Sequence, residues 1–185
     1  MESIKTILTA HTSNVDEKEL QIKMQTFLSR YFLIELEVKS TDGKRRIDMV
    51  IVHKSDLQKA YPIGIEVKIN EKKTGKDIAA WLKQANDYSF KKFIGYGQCL
   101  IVTCPQISGL YLREGELMHQ HETDEGCKPD HNVSTFIGHF NIGEVQKYFR
   151  NGRGFLCIVF KSRIIWEQHN DIFRFDNYTF VCPKQ

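Results

Sequence analysis

The run Arg46-Ile47-Asp48-Met49-Val50-Ile51-Val52, with Gly64-Ile65-Glu66-Val67-Lys68-Ile69 following after a short polar connection, decides how this chain is read. Both runs are rich in β-branched residues and short enough to be strands. Side chains on a strand alternate between faces. Glu66 and Lys68 therefore point together, while Ile65, Val67 and Ile69 pack behind them. Asp48 lies near the start of an apolar strand, where a carboxylate is costly unless something compensates it. If the two strands are neighbours, Asp48 and Glu66 converge on a divalent cation. Hard oxygen ligands of this kind suit Mg²⁺, which keeps several waters and takes one or two carboxylates.

Working outward, the segment from Asp16 to about Tyr31 reads as an amphipathic helix. Leu20, Met24, Phe27, Leu28 and Tyr31 recur at three- and four-residue intervals. Asn14 or Asp16 supplies a cap, and Asp16, Glu17 and Glu19 suit the positive end of the helix dipole. Leu33 to Val38, Arg46 to His53 and Tyr61 to Ile69 are the expected strands, the first two joined at the hairpin signal Thr41-Asp42-Gly43-Lys44. A second helix is expected from about Lys76 to Phe93, with Ile78, Leu82, Ala85 and Ser89 on one side, and then a buried strand from Cys99 to Thr103. Ser108 to His131 reads as a long loop or inserted subdomain. Further β-like runs are Val133 to Phe140, Phe155 to Phe160, Arg163 to Glu167, Ile172 to Phe175 and Tyr178 to Cys182. Gly143 to Asn151 is expected to form a short helix ended by Asn151-Gly152. The fold class that follows is α/β, a mixed central sheet flanked by helices with a β-rich C-terminal extension. We expect one domain over residues 1–185, with its core at about 16–104 and the extension at about 105–185.

The bulk properties bound the reading. The chain has 185 residues, 41% hydrophobic and 26% charged, which is enough for one real core and excludes disordered, collagenous and disulfide-scaffold classes. A net charge of +3 permits nucleic-acid binding without arguing for it. The five cysteines (Cys99, Cys104, Cys127, Cys157, Cys182) are scattered. The opening residues carry no apolar run of signal-peptide type, and no stretch has the length of a membrane span. Free thiols, a cytoplasmic setting and no membrane partner are the expectation.

Phosphodiester cleavage needs what Asp48, Glu66 and Lys68 offer. A divalent cation neutralises the phosphate and helps generate hydroxide, and a nearby ammonium stabilises charge in the transition state. Lys68 supplies that ammonium and orients the attacking water. A Glu-x-Lys triplet alone is more often an ordinary ion pair on a solvated strand. The Asp in the preceding strand and the flanking helices reverse that balance.

Asp48 followed by Glu66-x-Lys68 resembles the PD-(D/E)xK nuclease superfamily, and so does the order helix, three-stranded meander, helix, strand. The resemblance covers roughly Asp16 to Cys104. Ile47 stands where the family's nominal Pro precedes the Asp, and Gly43-Lys44-Arg45-Arg46-Ile47-Asp48 looks much like the RecB-type versions. Gln84 and Tyr88, four apart on the second helix, resemble the RecB-type Gln-x-x-x-Tyr motif, whose Gln contacts the site and whose Tyr supports it or DNA. Resolvase-like members of the family carry a Glu on the first helix that reaches the metal. Glu17 fits that position, since it shares a face with Leu20, Gln21 and Met24, and Glu19 is the fallback. The resemblance implies a restriction-endonuclease-like core in which Asp48, Glu66, the Val67 carbonyl and Glu17 hold Mg²⁺, or Mn²⁺ in its place. Lys68 and Gln84 are then catalytic. The implied activity is endo- or exodeoxyribonuclease.

DNA is the expected partner, with RNA open and a homodimer compatible. Among the basic residues near the motifs, Lys72, Lys73 and Lys76, in the loop leaving the Glu66 strand, are best placed to meet phosphates. A rival from another class is a catalytically silent nucleic-acid-binding or regulatory module on the same scaffold. His119, His121, Cys127 and His131 are zinc-capable side chains, but their spacing fits no strong zinc signature, and a polar surface loop is the better reading.

Overall fold

Asp16 starts the first helix as its short acidic side chain dictates. Its backbone is extended (φ −73°, ψ 161°), and its carboxylate accepts the Glu19 amide at 2.7 Å. A cap of this kind is worth about 1 kcal/mol. Helix α1 (Glu17–Leu28) follows. It buries Leu20, Met24, Phe27 and Leu28, each at 1% exposure or less, a contribution of about 1.5–3 kcal/mol per side chain. The computed structural model describes residues 16–54, 61–68, 75–104, 141–150, 153–161 and 163–173. The zinc-capable cluster, Cys182, Lys72 and Lys73, and the strands expected at Val133–Phe140 and Tyr178–Cys182 lie outside these residues.

After α1 come β1 (Phe32–Lys39), β2 (Arg46–His53) and β3 (Ile63–Val67), then α2 (Gly75–Ser89). The chain continues through the short pair β4 (Lys92–Phe93) and β5 (Gly97–Gln98) to β6 (Leu100–Cys104), and then β7 (Ile142–Arg150), β8 (Arg153–Phe160), β9 (Arg163–Glu167) and β10 (Ile172–Phe173). Among the described residues the main sheet has eight strands, in the order β1-β2-β3-β6-β7-β8-β9-β10. The first three form the expected antiparallel meander, with Gly43 in the β1–β2 turn at φ +67°. β3, β6 and β7 run parallel, and β7 to β10 are antiparallel. A parallel pair needs a long crossover, which α2 supplies between β3 and β6.

The helices lie against opposite faces. Met49, Ile51, Ile65, Val102 and Val145 pack with α1. Val50, Ile101 and Ile142 pack with Trp81, Leu82, Ala85 and Tyr88 of α2. The two ends of the strand order also meet on the α1 side, where Phe32 stacks edge-on against Trp166 at 5.0 Å and His53 lies 2.9 Å from Asp171. The twisted sheet therefore coils around α1. No helix among the described residues is long and apolar enough to cross a membrane.

Two expectations are corrected. The second helix ends at Ser89, and Lys92–Phe93 begins the small β4–β5 sheet. Residues 143–150 are not a helix; they belong to β7, which pairs with β6 on one side and β8 on the other. Gly143 shows why that packing is tight, because a Cβ there would sit 2.4 Å from the Val159 carbonyl oxygen and 2.9 Å from side-chain atoms of Phe160 and Val102. Gly143→Ala should therefore destabilise the fold by about 1–3 kcal/mol, the usual range for overpacking. Gly64→Ala should do less damage, since the atom nearest its added Cβ is the end of the flexible Ile47 side chain. Urea unfolding of the two variants checks the order.

Candidate active site

The site begins with a break in strand alternation. On β1, Phe32 and Ile34 belong to the α1 core, whereas Val38 belongs to the α2 core. On β2, Met49 and Ile51 face α1, whereas Ile47 faces α2. Regular alternation keeps residues two apart on one face. The flip falls at Glu37 and Asp48, which would be opposite each other yet are missing from an otherwise continuous register. Glu37 has φ +57°, an uncommon conformation for a side chain of this size. It is ion-paired with Arg46 of the facing strand.

The break turns Asp48 toward β3. The paired register of β2 and β3 ends at Met49 and Ile65. Beyond it, the Val67 amide donates to Asp48 Oδ2 at 2.6 Å, so the carboxylate takes over where the ladder stops. From the other side, Gln21 of α1 donates to the Asp48 carbonyl at 3.0 Å.

Glu66 is 1% exposed. Its Oε1 accepts from Gln84 Nε2 at 2.7 Å and lies 2.9 Å from Lys68 Nζ. The Lys68 ammonium also reaches Glu17 Oε1 at 3.3 Å. The second Gln84 amide hydrogen goes to the Tyr88 hydroxyl at 2.8 Å, and that hydroxyl donates to the Arg46 carbonyl at 3.0 Å. Tyr88 therefore fixes both Gln84 and the β2 backbone two residues before Asp48. At 4% exposure it supports the site from beneath, one of the two roles that the Gln-x-x-x-Tyr resemblance implies.

Electrostatics follow from burial. Burial raises the Glu66 carboxyl to about 7; Asp48 adds to the rise and Lys68 opposes it. Burial also raises Asp48, with the Val67 amide opposing. For Lys68, burial alone would lower the ammonium, but Glu66, Asp48 and Glu17 outweigh it and hold the group above its ordinary value. Burial raises the Tyr88 phenol, which stays a hydroxyl donor.

The residues fit a divalent cation. Lys68 and Gln84 occupy one oxygen of Glu66 and leave Oε2 as a buried atom with no hydrogen-bond partner among the described residues. The hydrogen bond that holds Asp48 uses Oδ2. Each carboxylate thus keeps an oxygen for a ligand. No group of three or more His, Cys, Asp or Glu side chains meets in metal-ligating geometry among the described residues. Two carboxylates and a backbone carbonyl make no such group, and Glu17 is instead engaged by Lys68.

Asp48, Glu66, Lys68, Gln84 and Glu17 are thus brought together, with Val67 at their centre. Lys76 lies in the first turn of α2, and its side chain is not among those described. Two contributors escaped the sequence reading. Gln21 follows Glu17 by four residues on the same helix face, a spacing that could have flagged it. The Glu37–Asp48 break leaves no sequence signal. Comparison with known proteins returns no matching family model, no matching curated protein and no matching solved structure.

A pH dependence follows. The folded pKa of Glu66 lies near 7, above the ordinary 4.5, so the folded state binds the proton more tightly. Its contribution to stability is full below about 4.5 and is lost as pH rises through 7. Asp48 shifts in the same direction. Metal-free protein should therefore melt at lower temperature at pH 8 than at pH 6, and Glu66→Gln should flatten that difference in a thermal scan.

Proposed function

We propose that this protein is a divalent-metal-dependent deoxyribonuclease built on a restriction-endonuclease-like core. The observation that carries this reading is the convergence of Asp48, Glu66, Lys68 and Gln84 at the ends of β2 and β3. The antiparallel meander, the crossover helix and the parallel β6 support the fold half of the proposal. Asp48, Glu66 through Oε2, and the Val67 carbonyl would hold Mg²⁺ or Mn²⁺. Bound there, the ion would supply Lewis-acid neutralisation of the scissile phosphate and would acidify water.

The chain's own residues do the rest. Lys68, held as an ammonium, donates hydrogen bonds to the attacking water and to the negative charge that grows on the phosphate. Glu17 keeps that ammonium from collapsing wholly onto Glu66, because it offers a second anion within reach. Gln84 fixes the rotation of the Glu66 carboxylate. DNA is the proposed substrate, with RNA as an arm of the test.

Purified protein should cut plasmid or single-stranded DNA with Mg²⁺ or Mn²⁺. Asp48→Ala and Lys68→Ala should each lower the rate by about 10²-fold or more. Comparing linear, circular, branched and single-stranded DNA with RNA defines the substrate. Cleavage that survives both substitutions overturns the assignment. Binding without any cleavage would instead support a silent nucleic-acid-binding module.

A further inference from the structure

Glu66, Thr103 and Glu144 occupy one rung across the three parallel strands β3, β6 and β7. Side-by-side partners on neighbouring strands point to the same face, here the face under α2. One step along, the same face carries Ile101 and Ile142, both packed into the α2 core. The polar rung thus interrupts an apolar surface. Glu144 is 2% exposed and accepts from Gln146 Nε2 at 2.8 Å.

Thr103 is 0% exposed, and its hydroxyl has no hydrogen-bond partner among the described residues. The same holds for Glu66 Oε2, its neighbour on the rung. The two atoms are chemically complementary. An ionised carboxylate oxygen only accepts, whereas a threonine hydroxyl donates one hydrogen and accepts as well. Lys68 and Gln84, the other donors at Glu66, are directed at Oε1. Buried polar atoms are ordinarily satisfied, and a buried water joins groups that do not touch directly.

We propose that Thr103 is a positioning residue of this site. Its hydroxyl and Glu66 Oε2 share one water, which sets the direction in which Glu66 meets a divalent cation. This rests on the reading of Asp48 and Glu66 as metal ligands and extends the site onto β6, where the sequence shows only an apolar strand.

The test is Mn²⁺ binding by titration calorimetry on the full chain, with melting of the metal-free protein as control. Thr103→Val keeps the shape and removes the hydroxyl. Thr103→Ala and Thr103→Ser form a second pair that isolates the hydroxyl should the valine variant not fold. Removing a group that orients a metal ligand typically weakens affinity by about 10–100-fold. Valine and alanine should therefore bind Mn²⁺ at least about tenfold more weakly than wild type, with serine close to wild type. The proposal is overturned if valine and alanine bind Mn²⁺ as wild type does, as a dry, idle hydroxyl requires. It is equally overturned if serine is as weak as alanine. A wild-type protein that binds no Mn²⁺ removes the metal-site reading itself, and this proposal with it.

Discussion

The hydrogen bond from the Val67 amide to the Asp48 carboxylate is the contact on which the arrangement depends. It lies past the last paired rung of β2 and β3, where the backbone donor of buried Val67 would otherwise lack a ladder partner. By taking that donor, Asp48 fastens the end of β3 and is itself fixed in direction. Glu66 and Lys68 flank Val67 in sequence, so fixing Val67 also fixes where they stand. The strained Glu37 backbone is part of the same device. A left-handed φ at a non-glycine residue is unfavourable by roughly 1–3 kcal/mol. The long β1–β2 ladder on either side of it holds that strain in place.

A second constraint is electrostatic. Two carboxylates, one of them almost fully buried, repel each other and lose hydration. One ammonium and one amide meet this only on one side of Glu66. The consequence is a carboxylate poised near neutrality, more easily protonated than an exposed glutamate. A cation between Asp48 and Glu66 would offset the repulsion that Asp48 adds to the burial of Glu66. The apo arrangement is thus frustrated in the way expected of a site that is completed by a positive ligand.

How much of this was legible depended on whether the local pattern and the tertiary partners agreed. For α1, the three- and four-residue spacing of Leu20, Met24, Phe27 and Leu28 survives folding because one face meets the sheet. For β3, Ile65 and Val67 pack on α1 while Glu66 faces α2, so the alternation alone identified the chemistry-bearing side. β7 misled. Ile142, Val145, Tyr148 and Phe149 imitate a helical period, while Glu144 and Gln146, polar yet buried, sit on the face that the α2 side covers. The sequence pattern cannot show that two polar residues are to be interior, and pairing with β6 and β8 overrode it. Thr103 was invisible for a related reason, and the spacing that puts Gln21 on the face of Glu17 did not show what it would meet. Their importance lies in what another element brings beside them, the Asp48 carbonyl in one case and Glu66 in the other.

The charge state of Lys68 narrows the chemistry further. A lysine acting as base must be neutral, and that requires burial without anions around it. Here Glu66 lies at 2.9 Å and Glu17 at 3.3 Å, and with Asp48 they more than offset the burial. The ammonium is therefore a donor. In the proposed reaction it orients water and meets negative charge, and it does not accept the water's proton. Among the neighbouring groups, Glu17 differs from Glu66 in being half-exposed. It borders Lys68 on the solvent side. The division of labour is then set by burial. In the proposed reaction the deep carboxylates would hold the cation, and the ammonium between Glu66 and Glu17 would orient water.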